Sequence, residues 1–208
     1  YKRQDIYLEK PPPLVPRKYR LPVRERISAE GKVLVELDQN QLLQTIRFLK
    51  EEEIEAVAVG FLHDYAHPVH EQQVRDLILS ELPSLSVCLS SEVCPEMREY
   101  DRFSTTCANA YIRPLVSGYL ERLEKLFAEA GFGCSIHLMM SGGGWTNLQT
   151  ASKFPIRLLE SGPAGGAIMA AGVACECELE SGPDCRRMRH QRHKIPNAGD
   201  TQPVSYTH

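Results

Sequence analysis

The sequence lacks long apolar runs, and none of its hydrophobic stretches approaches the roughly 20 residues that a membrane-spanning helix needs. It also lacks a signal-peptide pattern at its start, so we expect a cytoplasmic protein. An excess of positive charge is absent as well, since the formal net charge is −3. A mildly acidic protein has no electrostatic attraction to nucleic acid or to an anionic membrane, so neither is expected as a partner.

Regular cysteine spacing is also missing, although the chain has seven cysteines. Cys88, Cys94, Cys107 and Cys134 stand singly, and the odd total does not suit a complete disulfide framework. We therefore expect them to be small buried hydrophobes in a reducing compartment. What the chain does have is 42% hydrophobic and 25% charged residues, which is typical of a globular protein with a real core.

A glycine-rich run near residue 160 is the most informative pattern of the chain. It follows the apolar segment 155–159 and precedes the small residues 167–174, which predicts a strand, a glycine turn and a helix start. The run consists of Ser161, Gly162, Pro163, Ala164, Gly165 and Gly166. Free N–H groups and the helix dipole favour an anion at a helix start, and glycine lets a phosphate come close. The alternative is that small residues only pack a helix against a sheet.

A second glycine turn lies about twenty residues earlier. The apolar segment 135–140 suits a buried strand, and Ser141, Gly142, Gly143 and Gly144 follow it. In an open α/β sheet, ligands collect beyond the carboxyl ends of the strands, so we expect both turns to face one crevice. A flexible surface turn is the alternative for the second run.

The middle of the chain has the pattern of a βαβ unit. The continuous apolar segment 56–62 predicts a buried strand, 68–82 a helix, and 85–89 a second strand parallel to the first. Before this unit, the side chains of residues 32–37 alternate in character, as those of a short strand do. Asp38 and Gln41 then have the spacing of a capping box. The buried stripe predicted for the capped helix is Leu42, Leu43, Ile46 and Leu49.

A long helix is predicted from Ser104 to Glu129, with Pro114 expected to kink or divide it. Residues at helical spacing form its predicted apolar stripe. These are Leu115, Tyr119, Leu123, Leu126 and Ala130.

Polar side chains just before this helix are the second candidate for chemistry. Glu99 and Asp101 offer carboxylates for proton transfer, while Arg98 or Arg102 offers a guanidinium that can hold an anion bidentately. The alternative is an exposed, salt-bridged helix entry capped by Ser104. The polar segment 63–71 contains three histidines and two acids, but its spacing favours a turn and a helix start over a metal site.

Several motifs in a fixed order resemble the hydantoinase A and 5-oxoprolinase family. They are Ser90-Ser91-Glu92-Val93, Arg98-Glu99-Tyr100-Asp101-Arg102, Ser104-Thr105-Thr106, Asn109-Ala110-Tyr111 with Pro114, and the two glycine runs. The resemblance covers roughly Asp5 to Val173. Ordered motifs of this kind are more specific than any single glycine loop.

The resemblance implies an α/β fold, namely a fragment of the actin-like, Hsp70-like ATPase fold with ribonuclease-H-like domains and parallel βαβ units. It implies ATP and a divalent metal such as Mg²⁺ as cofactors, and it makes His63 and His70 weak candidates for metal ligands. The function implied is ATP-dependent opening of 5-oxoproline or hydantoin, with a hydantoinase B-type subunit as partner. Because the family's amino-terminal phosphate loop is absent, we expect this fragment to be inactive alone. An ATP-dependent ketone carboxylase subunit and a non-catalytic α/β interaction module are the alternatives.

Three regions are expected along the chain. Residues 1–31, rich in proline, form an extended connector, and residues 32–183 form a partial α/β domain. Residues 184–208 carry five Lys and Arg side chains against two aspartates and lose apolar periodicity. We expect this basic tail to be non-family sequence, disordered or produced by a reading-frame slip.

Overall fold

The computed structural model describes residues 13–177. These form two compact units, one described over 13–138 and 146–158 and the other over 139–145 and 159–177. The predicted limits of the connector and of the α/β domain stay predictions. The basic tail and the first twelve residues of the connector lie outside the described residues.

The elements follow one another in a mixed α/β order. Two short 3₁₀ helices cover Arg17–Tyr19 and Pro155–Leu158. The strands are β1 (Arg26–Ile27), β2 (Val33–Val35), β3 (Ala56–Val59), β4 (Ser86–Leu89), β5 (His137–Met139) and β6 (Trp145–Asn147). The helices are α1 (Gln39–Glu51), α2 (Val69–Glu81), α3 (Ser90–Val93), α4 (Glu99–Glu129), α5 (Leu148–Lys153) and α6 (Ser161–Glu176). No helix within residues 13–177 is both long enough and apolar enough to cross a membrane.

Strands β3 and β4 pair in parallel with α2 between them, which confirms the predicted βαβ unit. The main core lies between this pair and helices α1 and α2, and it is built from nine buried residues. These are Leu42, Ile46, Leu49, Val59, Val74, Ile78, Leu85, Val87 and Leu89. Strand β3 ends at Val59, three residues earlier than expected, because the Phe61 N–H donates to Asp64 within a turn.

Helix α1 begins as the sequence predicts. The Asp38 side chain accepts a hydrogen bond from the Gln41 N–H at 3.0 Å, which satisfies a free donor of the first turn. The Gln41 side chain does not complete the capping box, because it accepts from the Arg24 N–H at 2.7 Å. Leu42, Ile46 and Leu49 are buried as predicted, whereas Leu43 is 37% exposed.

Helix α4 differs from the prediction in its start and in its buried face. It begins at Glu99, five residues before Ser104, and it continues through Pro114, so the proline does not divide it. The predicted apolar stripe is wrong at four positions: Leu115 is 75% exposed, Tyr119 55% and Leu126 62%, and Ala130 is exposed as well. The helix packs on β3 and β4 through a largely polar face instead. Its buried residues are Arg102, Thr106, Asn109, Ala110 and Leu120.

The single cysteines differ in their surroundings. Cys88 on β4 is buried as expected, and Cys94 and Cys107 are half-buried. Cys134 is exposed and lies in the irregular segment between α4 and β5. The expectation of a buried side chain is therefore wrong for Cys134.

The strand predicted at 155–159 is wrong, because this segment is a 3₁₀ helix. Pro155 has no N–H for a strand ladder, and the Ile156 N–H donates to the Asn109 side chain at 3.2 Å. In the second unit, the turn 140–144 is closed by a bond from the Met140 N–H to the Gly144 carbonyl at 2.7 Å. The turn predicted at Ser141 to Gly144 is therefore confirmed.

Candidate functional site

Polar side chains meet where the two parallel strands end. The β3 strand is followed by the segment 60–64, and β4 is followed directly by the short helix α3. Both segments lie at the carboxyl edge of the parallel pair, where α/β folds usually place ligands. We call the group formed here the sheet-edge cluster. It consists of Asp64, Glu71, Ser90, Ser91 and Arg102.

Arg102 is the largest fully buried side chain of the cluster, with no exposed surface. It reaches from α4 to three separate segments, and each of its donor nitrogens has a protein partner. Nε donates to Ser90 Oγ at 3.2 Å, Nη1 to the carbonyls of Glu96 and Met97, and Nη2 to those of Phe61 at 2.8 Å and Leu62 at 2.9 Å. A guanidinium has five N–H donors, and five acceptors surround this one.

Glu71 is the acceptor at the centre of the cluster and has no exposed surface. Its carboxylate accepts from the Ser90 N–H at 3.0 Å and from the Ser91 N–H at 3.1 Å. The hydroxyl groups of both serines also donate to it. A carboxylate has about four acceptor positions, so these four donors satisfy its hydrogen-bonding capacity. Its position in the first turn of α2 gave no sign of this role, because first-turn acids are usually exposed.

Asp64 is the second buried carboxyl of the cluster, with 1% of its surface exposed. Its Oδ2 accepts from the Phe61 N–H at 2.5 Å. Burial, followed by the charge and hydrogen bond of Glu71, raises the pKa of Asp64 to about 8. The Asp64 carboxyl is therefore mainly in its neutral form at neutral pH.

The two candidate metal ligands have different surroundings. His70 Nδ1 lies 2.7 Å from Glu25 Oε2, and both side chains are buried. His63 Nδ1 is buried and has no hydrogen-bond partner within residues 13–177. No group of three or more His, Cys, Asp or Glu side chains in that range is arranged to hold a metal ion. Metal ligation by His63 and His70 stays a prediction without a cluster to support it.

The predicted acids lie in the first turn of α4, next to the sheet-edge cluster. Glu99 is half-buried, Asp101 is exposed, and Arg98 precedes them as the exposed N-cap residue. Acids in a first turn also interact favourably with the helix dipole, so the position alone does not assign chemistry. A catalytic role for Glu99, Asp101 and Arg102 stays a prediction.

The glycine-rich run forms the first turns of α6, not a loop before it. The N-cap residue Glu160 adopts a left-handed backbone with φ of 60° and makes no side-chain cap. A Cβ added at Gly162 or Gly166 would have no described atom within 4 Å, so this helix start is open. Pro163 lacks an N–H, which leaves the neighbouring amides of Ser161 and Gly162 as donors.

The second glycine turn packs against the same helix. Gly143 has φ of +81°, and a Cβ there would come 3.1 Å from Ile168 Cδ1 of α6. Gly165 in turn faces Met139, whose Cγ would lie 3.9 Å from an added Cβ. The positive φ and the close approach of Ile168 account for glycine at position 143, whereas the contact at Gly165 is of ordinary van der Waals length. Anion binding by the two runs, at Ser141–Gly144 and 161–166, stays a prediction.

Two protein-family descriptions match the chain. The hydantoinase/oxoprolinase N-terminal region matches residues 1–82, and the hydantoinase/oxoprolinase domain matches residues 102–181. The chain belongs to the hydantoinase/oxoprolinase family. The resemblance inferred from the ordered motifs is thereby confirmed.

Individual relatives agree with this membership. An uncharacterised protein of Methanocaldococcus jannaschii is 39% identical over 82% of the chain and 25% of its own length. The caprolactamase subunit alpha of Pseudomonas jessenii is 35% identical over 73% of the chain and 22% of its own length. The chain thus spans about a quarter of the length of these relatives.

Two solved structures share the architecture. The ATP-dependent caprolactamase from Pseudomonas jessenii matches with a TM-score of 0.70 and 32% identity, over 82% of this chain and 24% of that one. A nucleotide-free acetone carboxylase matches with a TM-score of 0.75 and 28% identity, over the same shares of both chains. The fold class is therefore confirmed as α/β, a fragment of the actin-like ATPase fold with a parallel βαβ unit.

Proposed function

We propose that this chain is part of an ATP-dependent enzyme that opens cyclic amides such as 5-oxoproline or hydantoin. The observation that carries the proposal is the likeness to the ATP-dependent caprolactamase over 82% of the chain. Caprolactam is itself a cyclic amide, so the chemistry named for that relative belongs to the same class. Because the chain spans about a quarter of its relatives, we expect it to be inactive alone.

ATP phosphates would bind at the start of α6, in the segment Ser161 to Gly166, where the Ser161 and Gly162 amides would supply main-chain donors. The open space at Gly162 and Gly166 supports this, because a phosphate oxygen can approach a backbone only where no side chain intervenes. The Ser141–Gly144 turn, which packs on α6 through Gly143, would contribute the second wall. When bound, ATP would supply a phosphoryl group to the amide oxygen with release of ADP, which would activate the carbonyl carbon for attack by water, cleavage of the ring C–N bond and release of phosphate. The described residues contain no cluster for Mg²⁺, so no step is assigned to a metal.

Proton transfer would fall to the acids at the start of α4. Glu99 and Asp101 are carboxyl groups close to the sheet-edge cluster that solvent or a substrate can reach. We assign the binding of a substrate carboxylate or phosphate to Arg98, because it is exposed, whereas the donors of Arg102 are already paired.

A ketone carboxylase subunit is the second candidate function. The likeness to acetone carboxylase, with a TM-score of 0.75, favours it specifically. Both proposals include a companion subunit, since relatives such as the caprolactamase alpha chain are named as subunits. A hydantoinase B-type subunit remains our proposed partner, and the cytoplasm our proposed location. If neither reaction occurs, a non-catalytic α/β interaction module is the remaining candidate function.

The test is ADP release by the full-length parent protein with its companion subunit. We expect turnover with 5-oxoproline or hydantoin and none with acetone, and the reverse result would favour the carboxylase. Calorimetry of ATP with the present chain tests its own contribution. We expect weak heat that disappears when Gly162 is changed to valine, because the added side chain would cover the amides of Ser161 and Gly162. Equal heat from both proteins would refute phosphate binding at α6.

A further inference from the structure

The buried guanidinium of Arg102 joins three segments that are distant in sequence. Its Nη2 holds the carbonyls of Phe61 and Leu62 after β3, and its Nε holds the Ser90 hydroxyl after β4. Its Nη1 turns back to the carbonyls of Glu96 and Met97, just before its own helix. One side chain therefore fixes both loops at the carboxyl edge of the sheet and the entry to α4.

We propose that Arg102 is a positioning residue that holds the sheet-edge loops and, through the entry to α4, the acids Glu99 and Asp101. Four carbonyl oxygens converge on the guanidinium, an arrangement that suits a cation and would repel itself if left empty. The consequence for a reaction rests on the proposed function, whereas the holding of the loops does not.

The role requires the planar guanidinium of arginine, whose five N–H donors point in several fixed directions. Lysine has the same charge, but its three donors leave from one nitrogen and cannot reach acceptors on three segments together. The rings of Phe103 and Tyr65 lie 4.9 and 5.5 Å from the Arg102 Cζ, and they confine the guanidinium further. Arg102→Lys should therefore behave more like Arg102→Ala than like the wild type.

Hydrogen exchange of the 208-residue chain tests the holding of the loops. The reporters are the amides of Phe61, Ser90 and Ser91, which donate to Asp64 and Glu71 within the cluster. In Arg102→Ala we expect at least about tenfold faster exchange at these amides, since one charged hydrogen bond is worth that much. Arg122→Ala, an exposed arginine of the same helix, is the matched control and should leave them unchanged.

Chemical rescue separates positioning from general damage. N-ethylguanidinium at millimolar concentration should restore protection in Arg102→Ala, because it replaces the missing fork, while ethylammonium should not. If Arg102→Ala does not fold, the same two ions are compared by the yield of refolded protein. The proposal would be overturned if the reporter amides exchanged at the wild-type rate in Arg102→Ala. Equal rescue by both ions would overturn it as well.

Activity supplies a separate readout in the full-length protein. Arg102→Ala should lower kcat at least about tenfold and leave the KM for ATP unchanged, because the nucleotide is proposed to bind at α6. An inactive wild type with a positive exchange result would refute the proposed function and leave the holding of the loops intact. An unchanged kcat in an active enzyme would refute the positioning of Glu99 and Asp101.

Discussion

Gly60, the first residue after β3, lies directly beneath the ring of Phe103 on α4. A Cβ at this position would come 2.5 Å from Phe103 Cε1 and 2.7 Å from Cδ1, well inside the roughly 3.5–4 Å at which carbon atoms attract. The ring cannot easily retreat, because the Arg102 guanidinium lies 4.9 Å from its centroid and is itself tied to five acceptors. Gly60→Ala should therefore force the sheet and α4 apart.

The size of the loss follows from two opposing effects. Overpacking typically costs about 1–3 kcal/mol, whereas replacing glycine by alanine gains about 0.4–1 kcal/mol through the unfolded chain. We expect Gly60→Ala to lower the free energy of unfolding by about 1–2 kcal/mol. Urea unfolding followed by circular dichroism measures this, with an unchanged m-value showing that only stability has changed.

The double-mutant cycle with Phe103→Leu assigns the loss to this contact. In the leucine background, Gly60→Ala should cost little, because the planar ring edge is gone. Gly133→Ala is the matched control, since no described atom lies within 4 Å of its added Cβ and its φ is not positive. The reasoning is refuted if Gly60→Ala is as stable as the wild type, or if its loss persists undiminished in the Phe103→Leu background.

Three further predictions concern the sheet-edge cluster and α6. The folded pKa of Asp64, about 8, exceeds its ordinary value of 3.8, so its neutral form stabilises the fold at low pH, and that stability is lost as pH rises from about 4 to about 8. Asp64→Asn should remove this loss. In the wild type, urea titrations at several pH values should show the free energy of unfolding falling by at most about 1.4 kcal/mol per pH unit. Glu71→Gln should lower the free energy of unfolding by about 2–4 kcal/mol, because an amide cannot accept from four donors. Gly166→Ala should stabilise α6 by about 0.5–1 kcal/mol, because alanine favours a helix and its Cβ would meet no described atom. The same Cβ should weaken ATP binding in calorimetry, because it would occupy the open space that the proposed phosphate approaches.

The control for the two carboxyl predictions comes from α2. Asp76→Asn changes an exposed acid of α2 and should alter neither the pH profile nor the stability by more than about 0.5 kcal/mol. A wild-type profile as flat as that of Asp64→Asn would contradict the neutral form assigned to Asp64. Tighter or unchanged ATP binding in Gly166→Ala would contradict close phosphate approach at that position.

The fold was predictable where a local pattern and the global packing agree. The Asp38 cap with Leu42, Ile46 and Leu49 specified α1 and its buried face. The sequence of apolar strand, amphipathic helix and apolar strand specified the parallel unit of β3, α2 and β4. Ordered motifs identified the family, because their order and spacing are independent of how the chain packs.

Other expectations failed because periodicity does not reveal which face of a helix finds a partner. Leu115, Tyr119 and Leu126 keep helical spacing but remain exposed, while Arg102 and Asn109 are buried on α4. Apolar residues at 155–159 suggested a strand, yet Pro155 and the bond from Ile156 to Asn109 impose a 3₁₀ turn.

The sequence by itself determined the family, the parallel βαβ unit and the two glycine-rich segments, since each depends on residue type and local spacing. Only the tertiary structure decided that Asp64, Glu71 and Arg102 share one buried cluster. These residues lie up to 38 positions apart on a loop and two helices, and nothing local distinguishes them from surface charges. The raised pKa of Asp64 and the hydrogen bonds of all three arise from burial and from one another, and both exist only once the strands and helices are packed.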